Sequence, residues 1–212
     1  MGAPGVEHGN VPRVFIAPRA LHRLKLYIDL CPFEVGGLGT VEQAGEDVLV
    51  TDIVLIRQRA SDSDTELDPQ AVAEYLLQTV REGKDPSALR LWWHSHAEAD
   101  VTWSDTDERT IAGLRIDQLV SIVGNKRHEF ACRLDHFSPG RVTLHRLPLI
   151  SSREEESPDE ESLREQVMAE LREKVILIHR EYSEIPEIFF NPSGSTLEIP
   201  ITFDEADPPD QG

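Results

Sequence analysis

The stretch LRLWWHSHAEADVTWSDTDERTIAGL, residues 89–114, predicts a strand, a loop and a helix in direct succession. Bulky apolar residues from Leu89 to His94 predict a buried strand. Ala97 to Trp103 then form a loop, and Ser104 begins a helix as an N-cap residue followed by acidic residues. Side chains two positions apart on a strand share one face, so His94 and His96 should point to the same side.

Three side chains of this stretch, His94, His96 and Asp107, form a candidate zinc site. Two imidazoles and one carboxylate are protein ligands that leave a fourth zinc position open for water. Ser104 and Asp107 also fit a capping box, in which the two side chains satisfy backbone donors of the first helical turn. A cap does not require two same-face histidines immediately upstream, so the joint pattern favours metal binding.

The spacing H-x-H-x7-S-x-x-D resembles the motif of the JAMM (JAB1/MPN/Mov34) metalloproteases, which His94, His96, Ser104 and Asp107 match position by position. The family motif also has a glutamate on an early strand, and Glu34 in CPFEVGGLGTV (residues 31–41) is similar to it. The resemblance covers roughly residues 13 to 147 and is nearest to prokaryotic or phage-type members. One departure is Ala97, where the family frequently has proline.

This resemblance implies a site in which His94, His96 and Asp107 bind Zn²⁺, with Glu34 as general base and Ser104 as oxyanion donor. Zinc lowers the pKa of a water ligand from about 15.7 to about 7. Sequence spacing alone does not select Glu34 among 39 acidic residues, since Glu98 and Asp100 lie nearer to the histidines. An exposed charge at a strand start is the ordinary alternative for Glu34.

The function that the resemblance implies is hydrolysis after the C-terminal tail of a ubiquitin-like or sulfur-carrier protein, at a peptide or isopeptide bond. One alternative is an MPN-type protein-binding module without catalytic activity. Another is a zinc nucleoside deaminase, because residues 96–98 spell H-x-E. Deaminase chemistry needs a P-C-x-x-C ligand pair, which the sequence lacks.

Composition restricts the classes of partner and the location. The net charge of -18 argues against nucleic acid and against anionic membranes. We expect a cytoplasmic protein, because no apolar run approaches the length of a membrane span and the first residues do not resemble a signal peptide. Cys31 and Cys132 are too few for a disulfide framework, and their apolar neighbours predict buried thiols.

The fold expected is α/β (α+β), with a mixed β-sheet flanked by helices and a JAMM/MPN core related in outline to cytidine deaminases. Helices are predicted at Pro18 to Leu30 and Pro69 to Arg81, joined to the Ser104 helix by strands and a polar loop from Arg57 to Asp68. The predicted strands are 14–16, 33–41, 48–56, 89–94, 119–124, 129–136 and 141–146.

Residues 1–148 are expected to form the core, and residues 149–203 an acidic linker, an amphipathic helix from Ser162 to Arg180 and two short strands. Residues 204–212 are expected to be a disordered acidic tail. The apolar face of the helix has three alternatives: docking on its own domain, pairing with a second copy as a homodimer, or holding a partner.

Overall fold

The computed structural model describes residues 11–114, 116–152 and 160–178. Within these ranges it contains four α-helices, one short 3-10 helix (Pro86–Ala88) and eleven strands. The α-helices are α1 (Pro18–Leu30), α2 (Pro69–Arg81), α3 (Asp105–Gly113) and α4 (Glu160–Lys174). The strands are β1 (Val14–Ile16), β2 (Gly36–Ala44), β3 (Asp47–Leu55), β4 (Gln58–Ala60), β5 (Thr65–Leu67), β6 (Leu91–Ser95), β7 (Gln118–Gly124), β8 (Phe130–His136), β9 (Val142–Leu144), β10 (Leu149–Ser151) and β11 (Val175–Leu177). None of the helices in the described ranges is both long and apolar enough for a membrane span.

An eight-stranded mixed sheet forms the centre of the fold, in the order β10-β1-β3-β2-β6-β7-β8-β9. Strand β2 pairs antiparallel with β3 and β6, whereas β6 pairs parallel with β7. Strand β6 is therefore an interior strand, and all five of its residues are buried. The prediction of a mixed α and β fold built on a mixed sheet is confirmed.

Alternation along β6 divides the core into two hydrophobic clusters. Trp93 packs in the larger cluster, which includes Leu24 of α1 and Val167 of α4. Trp92 packs in the smaller cluster with Ile111 of α3, and residues of α2 pack against it. Because side chains alternate along a strand, His94 lies on the Trp92 side, the side of α3.

Helices α1 and α2 begin and end at the predicted residues. Both have proline at the first helical position, where its missing N–H costs no hydrogen bond. In α2, the Asp68 side chain accepts hydrogen bonds from the amides of Gln70 and Ala71. These local signals explain why the sequence was sufficient to place the two helices.

The prediction of a polar loop from Arg57 to Asp68 was wrong, because the segment contains the antiparallel hairpin β4–β5. Strand β11 pairs parallel with β4 and completes a second, three-stranded sheet. The hairpin residues carry few of the β-branched and aromatic side chains that mark strands. Strand β4 also pairs with a strand more than one hundred positions away in the chain.

The helix predicted from Ser162 to Arg180 ends earlier, at Lys174, because the β-branched Val175 and Ile176 continue as β11. Leu163, Val167 and Leu171 of α4 are buried in the larger cluster. The apolar face therefore docks on its own domain, and a homodimer through this helix stays a prediction.

One further difference concerns the segment after Pro148. Leu149–Ser151 is strand β10, which pairs parallel with β1, although the sequence predicted an acidic linker there.

Both cysteines are buried, as predicted, and burial raises the pKa of Cys31 to about 11 and that of Cys132 to about 12. The two strands predicted between residues 186 and 203 and the tail at 204–212 lie outside the described residues.

Candidate metal centre

His94 and His96 stand at the end of β6 and converge on one point. The amide of His96 donates to Gly124 O at 2.9 Å, which extends the β6–β7 pairing by one residue beyond Ser95. The two histidines therefore keep the strand geometry that places them on one face. Their Nε2 atoms are 3.0 Å apart, so the same-face prediction agrees with the observed geometry.

The loop after His96 fixes the orientation of this imidazole. His96 Nδ1 lies 2.8 Å from the carbonyl oxygen of Asp100. A carbonyl only accepts, so Nδ1 carries the proton and Nε2 presents its lone pair. Asn125 Nδ2 donates to Ala99 O at 3.0 Å, and Arg127 Nη1 donates to Glu98 O at 2.7 Å. Residues of the turn after β7 therefore fix the loop of residues 97–100 by hydrogen bonds, and this loop in turn orients His96.

Ala97 has a positive φ of 42°. Proline holds φ near -65°, so it does not fit this backbone conformation. Alanine at this position is therefore compatible with the backbone of the loop, whereas proline is not.

Asp107 reaches the two histidines from the first turn of α3. Its Oδ1 lies 3.1 Å from His94 Nε2, and its Oδ2 lies 3.8 Å from His96 Nε2. The capping box is present as well: the Asp107 amide donates to Ser104 Oγ at 3.1 Å, and the Ser104 amide donates to Asp107 Oδ2 at 2.7 Å. Capping and convergence on the histidines are therefore compatible, because the cap fixes the carboxylate that faces them.

The three side chains fit a divalent metal ion. One donor atom from each of His94, His96 and Asp107 lies within 4.8 Å of the other two. Tetrahedral ligands at zinc bond lengths would be about 3.3 Å apart, close to the spacings observed here. A pair of histidines with one carboxylate suits zinc and is also a donor set of non-haem iron.

The electrostatic environment of His94 and Asp107 favours the binding of a cation. Burial lowers the pKa of His94, which keeps its imidazole neutral. Burial acts to raise the pKa of Asp107, but the neighbouring imidazoles of His94 and His96 outweigh it and hold that pKa well below its usual range. Burial acts to lower the pKa of His96, but the Asp107 carboxylate and the Asp100 carbonyl outweigh it. The pKa of His96 is therefore raised. His94 Nδ1 is buried and has no hydrogen-bond partner among the described residues.

Glu34 precedes β2 and lies within electrostatic reach of the candidate ligands. Burial raises its pKa to about 7, with His96 acting to lower that pKa and Asp107 acting to raise it. The other two acidic candidates differ, since Glu98 and Asp100 are exposed and Asp100 is paired with Arg127 at 2.8 Å. The structure therefore gives Glu34 the perturbed environment typical of a proton-transfer group.

A buried network of ion pairs beside α3, the helix that carries Asp107, was not predicted from the sequence. Arg133 of β8 is fully buried and forms ion pairs with Asp135 and with Glu108, the residue after Asp107. Its guanidinium lies over the Trp103 ring at 4.9 Å, and that ring is 6.0 Å from the His94 ring. The sequence signal was a charged pair at i and i+2 in the apolar run FACRLDH, which places both charges on one face.

No family model and no curated protein matches the chain. Among solved structures, the chain is similar to the solution structure of protein DSY2949 from Desulfitobacterium hafniense, with 15% sequence identity and a TM-score of 0.45. The match covers 68% of this chain and 95% of that chain. A likeness this distant carries no argument about function.

Proposed function

We propose that the protein is a zinc-dependent peptidase or isopeptidase of the JAMM type, which cleaves after the C-terminal tail of a ubiquitin-like or sulfur-carrier protein. The observation that carries the proposal is the convergence of His94, His96 and Asp107, whose donor atoms lie within 4.8 Å of one another. The match of these residues to the motif spacing supports zinc as the metal and amide hydrolysis as the reaction.

His94, His96 and Asp107 would hold the ion through two imidazole nitrogens and one carboxylate oxygen. When bound, zinc supplies Lewis-acid polarisation of the scissile carbonyl and lowers the pKa of water. The protein contributes neutral His94 and ionised Asp107, the protonation states that ligation requires.

Glu34 would transfer the proton in this reaction. Its carboxylate takes a proton from the attacking water, whose oxygen bonds to the carbonyl carbon. The C–N bond then breaks, and the amine leaves with the proton that Glu34 returns. A pKa of about 7 suits this relay, because both protonation states are accessible near neutral pH.

Ser104 has two candidate roles that compete for one proton. Its hydroxyl donates to Asp107 Oδ2 at 2.8 Å. A serine hydroxyl has a single donor hydrogen, so it cannot hold this carboxylate and an oxyanion at the same time. The oxyanion role that the resemblance implies would require the hydroxyl to rotate away from Asp107 when substrate binds.

The hairpin β4–β5 offers a surface for an extended substrate tail. Strand β5 is an edge strand of its sheet within the described residues. It begins at Thr65, and a Cβ placed on Gly36 would lie 3.4 Å from Thr65 Cγ2. Gly36 in turn pairs with His94. A tail that adds to this edge by β-augmentation would therefore run close to the candidate metal centre.

The test is cleavage of a ubiquitin-like protein that carries a C-terminal peptide extension, and of the same protein linked to a lysine side chain. Zinc-loaded protein should cleave at least one of the two, and Glu34→Gln should bind zinc equally but lose cleavage. Undiminished cleavage by Glu34→Gln would remove Glu34 from the mechanism. Binding of the ubiquitin-like protein without any cleavage would instead favour the MPN-type binding module.

A further inference from the structure

We propose that Gln58 is a positioning residue that fixes the backbone carrying Glu34, an inference that rests on the proposed function of Glu34 as general base. Gln58 is the first residue of β4 and is 1% exposed. It belongs to the hairpin β4–β5, which the sequence did not predict. Its amide does not titrate, so its role must be sought in its contacts.

Gln58 uses its whole hydrogen-bonding capacity on neighbouring groups. Its Oε1 accepts from the Gly36 amide at 2.7 Å and from Thr65 Oγ1 at 2.6 Å. Its Nε2 donates to Gly36 O at 2.7 Å and to Ile56 O at 2.6 Å. Both acceptor positions and both donor hydrogens of the amide are occupied. The side chain therefore pairs with Gly36 in the way that an adjacent strand would.

The residues before Gly36 are held in a similar way. The Glu34 amide donates to Ser61 O at 3.0 Å, and the Val35 amide donates to Ser95 Oγ at 2.9 Å. Three successive amides, at residues 34 to 36, thus have three different partners. Two of these partners, Ser61 and Gln58, belong to the hairpin and its turn. The hairpin therefore fixes the position of the segment that carries Glu34.

Gly36 connects the segment that carries Glu34 to β6, the strand of the candidate ligand His94. On its other side it pairs with His94 in β6. There is little free space at this contact, because a Cβ on Gly36 would lie 2.9 Å from Trp93 O. Gln58, Gly36 and His94 thus form a continuous series of contacts from the hairpin to the candidate ligand. The series sets the distance between the Glu34 backbone and the metal centre.

Accurate placement matters more for a general base than for overall stability. A base must lie within hydrogen-bond reach of the water proton, and an error of about 1 Å in a reacting group can cost about a hundredfold in rate. Without Gln58, the buried N–H and C=O of Gly36 lose their partners, and the segment must shift to find others. Loss of Gln58 should therefore affect Glu34 while the ligands on β6 and α3 remain in place.

The experiment compares zinc-loaded Gln58→Met with zinc-loaded Gln43→Met. Gln43 provides an exposed control, because it lies near the far end of β2 from Glu34 and its amide donates to Gly45 O and Asp47 O. Three quantities are measured: zinc content, kcat and KM on the extended ubiquitin-like protein, and the midpoint of Glu34 titration by ¹³C NMR of its carboxyl carbon. The Glu34 signal is assigned by its absence in Glu34→Gln.

Gln58→Met should retain zinc, lose about tenfold to a hundredfold in kcat, and keep KM within about twofold. The Glu34 midpoint should move by about one pH unit or more. Gln43→Met should leave all three quantities unchanged. Thr65→Val removes one of the contacts to Gln58 and serves as a milder variant if Gln58→Met does not fold, with smaller changes in the same direction.

An unchanged Glu34 midpoint and kcat in folded Gln58→Met would overturn the inference. So would a fall in kcat matched by an equal loss of zinc, which would indicate a general structural role. If wild-type protein hydrolyses neither substrate, the proposed function fails. The NMR comparison then still decides whether Gln58 positions Glu34, so the two failures are distinguishable.

Discussion

The Nε2 atoms of His94 and His96 lie 3.0 Å apart, and Asp107 Oδ1 lies 3.1 Å from His94 Nε2. Two neutral imidazoles at this distance share one hydrogen at most, whereas a cation between them satisfies both lone pairs together with the carboxylate. The cap at Ser104 and the carbonyl at Asp100 fix two of the three side chains from behind. His96 and Asp107 are therefore held in position by neighbouring groups of the protein.

Zinc should stabilise the folded protein, because the donor atoms converge only in the folded state. A concentration of about one hundred times Kd should raise the free energy of unfolding by about 2.7 kcal/mol. Thermal unfolding with and without zinc measures the effect, and His94→Ala should show little of it. Equal stabilisation of wild type and His94→Ala would mean that zinc binds elsewhere.

Glu34→Gln should stabilise the metal-free protein at neutral and higher pH. Burial raises the pKa of Glu34 to about 7 from an ordinary value of 4.5, so the folded state favours the protonated form. Its contribution to stability is full below pH 4.5 and is lost as pH rises through 7. The variant should match wild type near pH 4 and exceed it by about 1–3 kcal/mol at pH 8, since solvent screening reduces the full effect at this half-buried residue. A pH-independent difference in unfolding free energy would contradict the raised pKa of half-buried Glu34.

Ser104→Ala should weaken zinc binding as well as the helix. Loss of an N-cap costs about 1 kcal/mol, and here the same hydroxyl also holds Asp107 Oδ2. Asp68→Ala is the matched control, since it removes the cap of α2. Both variants should lose stability, but only Ser104→Ala should lower zinc affinity. Unchanged zinc affinity with reduced kcat would favour the oxyanion role instead.

Substitutions at Ala97 should show whether the positive φ at this residue strains the backbone. Because φ is 42° there, Ala97→Gly should raise the free energy of unfolding by about 1 kcal/mol, and Ala97→Pro should lower it by more than that. Denaturant unfolding of the two variants measures both changes. Stabilisation by proline would show that the loop does not have the conformation described.

Arg133→Met should destabilise the protein by about 3–5 kcal/mol, since it leaves buried Asp135 with fewer partners. Arg133→Lys should restore only part of this loss, because lysine lacks the planar fork that contacts Glu108 and Asp135 together. Urea titration of the three proteins gives the comparison. Full recovery in Arg133→Lys would show that charge alone is required.

The sequence was informative where the structure depends on local chemistry. The prolines that begin α1 and α2 and the Asp68 cap of α2 act within one helical turn, and both helices were predicted correctly. The pair His94 and His96 is likewise determined by the alternation of a single strand. Asp107 could be predicted because the cap that orients it is itself a local motif.

The sequence was less informative where distant segments meet. The strands β4 and β11 are separated by more than one hundred residues, and β4 has none of the β-branched or aromatic side chains that mark strands. Gln58 is buried and hydrogen-bonded to Gly36, 22 positions earlier, and nothing in the local sequence marks this contact. Arg133 is similar, since it is tolerated in the interior through Glu108 and Asp135, which compensate its charge.

The most direct test of the metal site is equilibrium dialysis of zinc against wild type, Asp107→Ala and Asp105→Ala. Asp105 is an exposed acidic residue in the same helical turn and provides the matched control. Wild type and Asp105→Ala should each bind one zinc ion per chain, and Asp107→Ala should bind none at the same concentration. Equal zinc binding by Asp107→Ala and wild type would contradict the assignment of this site.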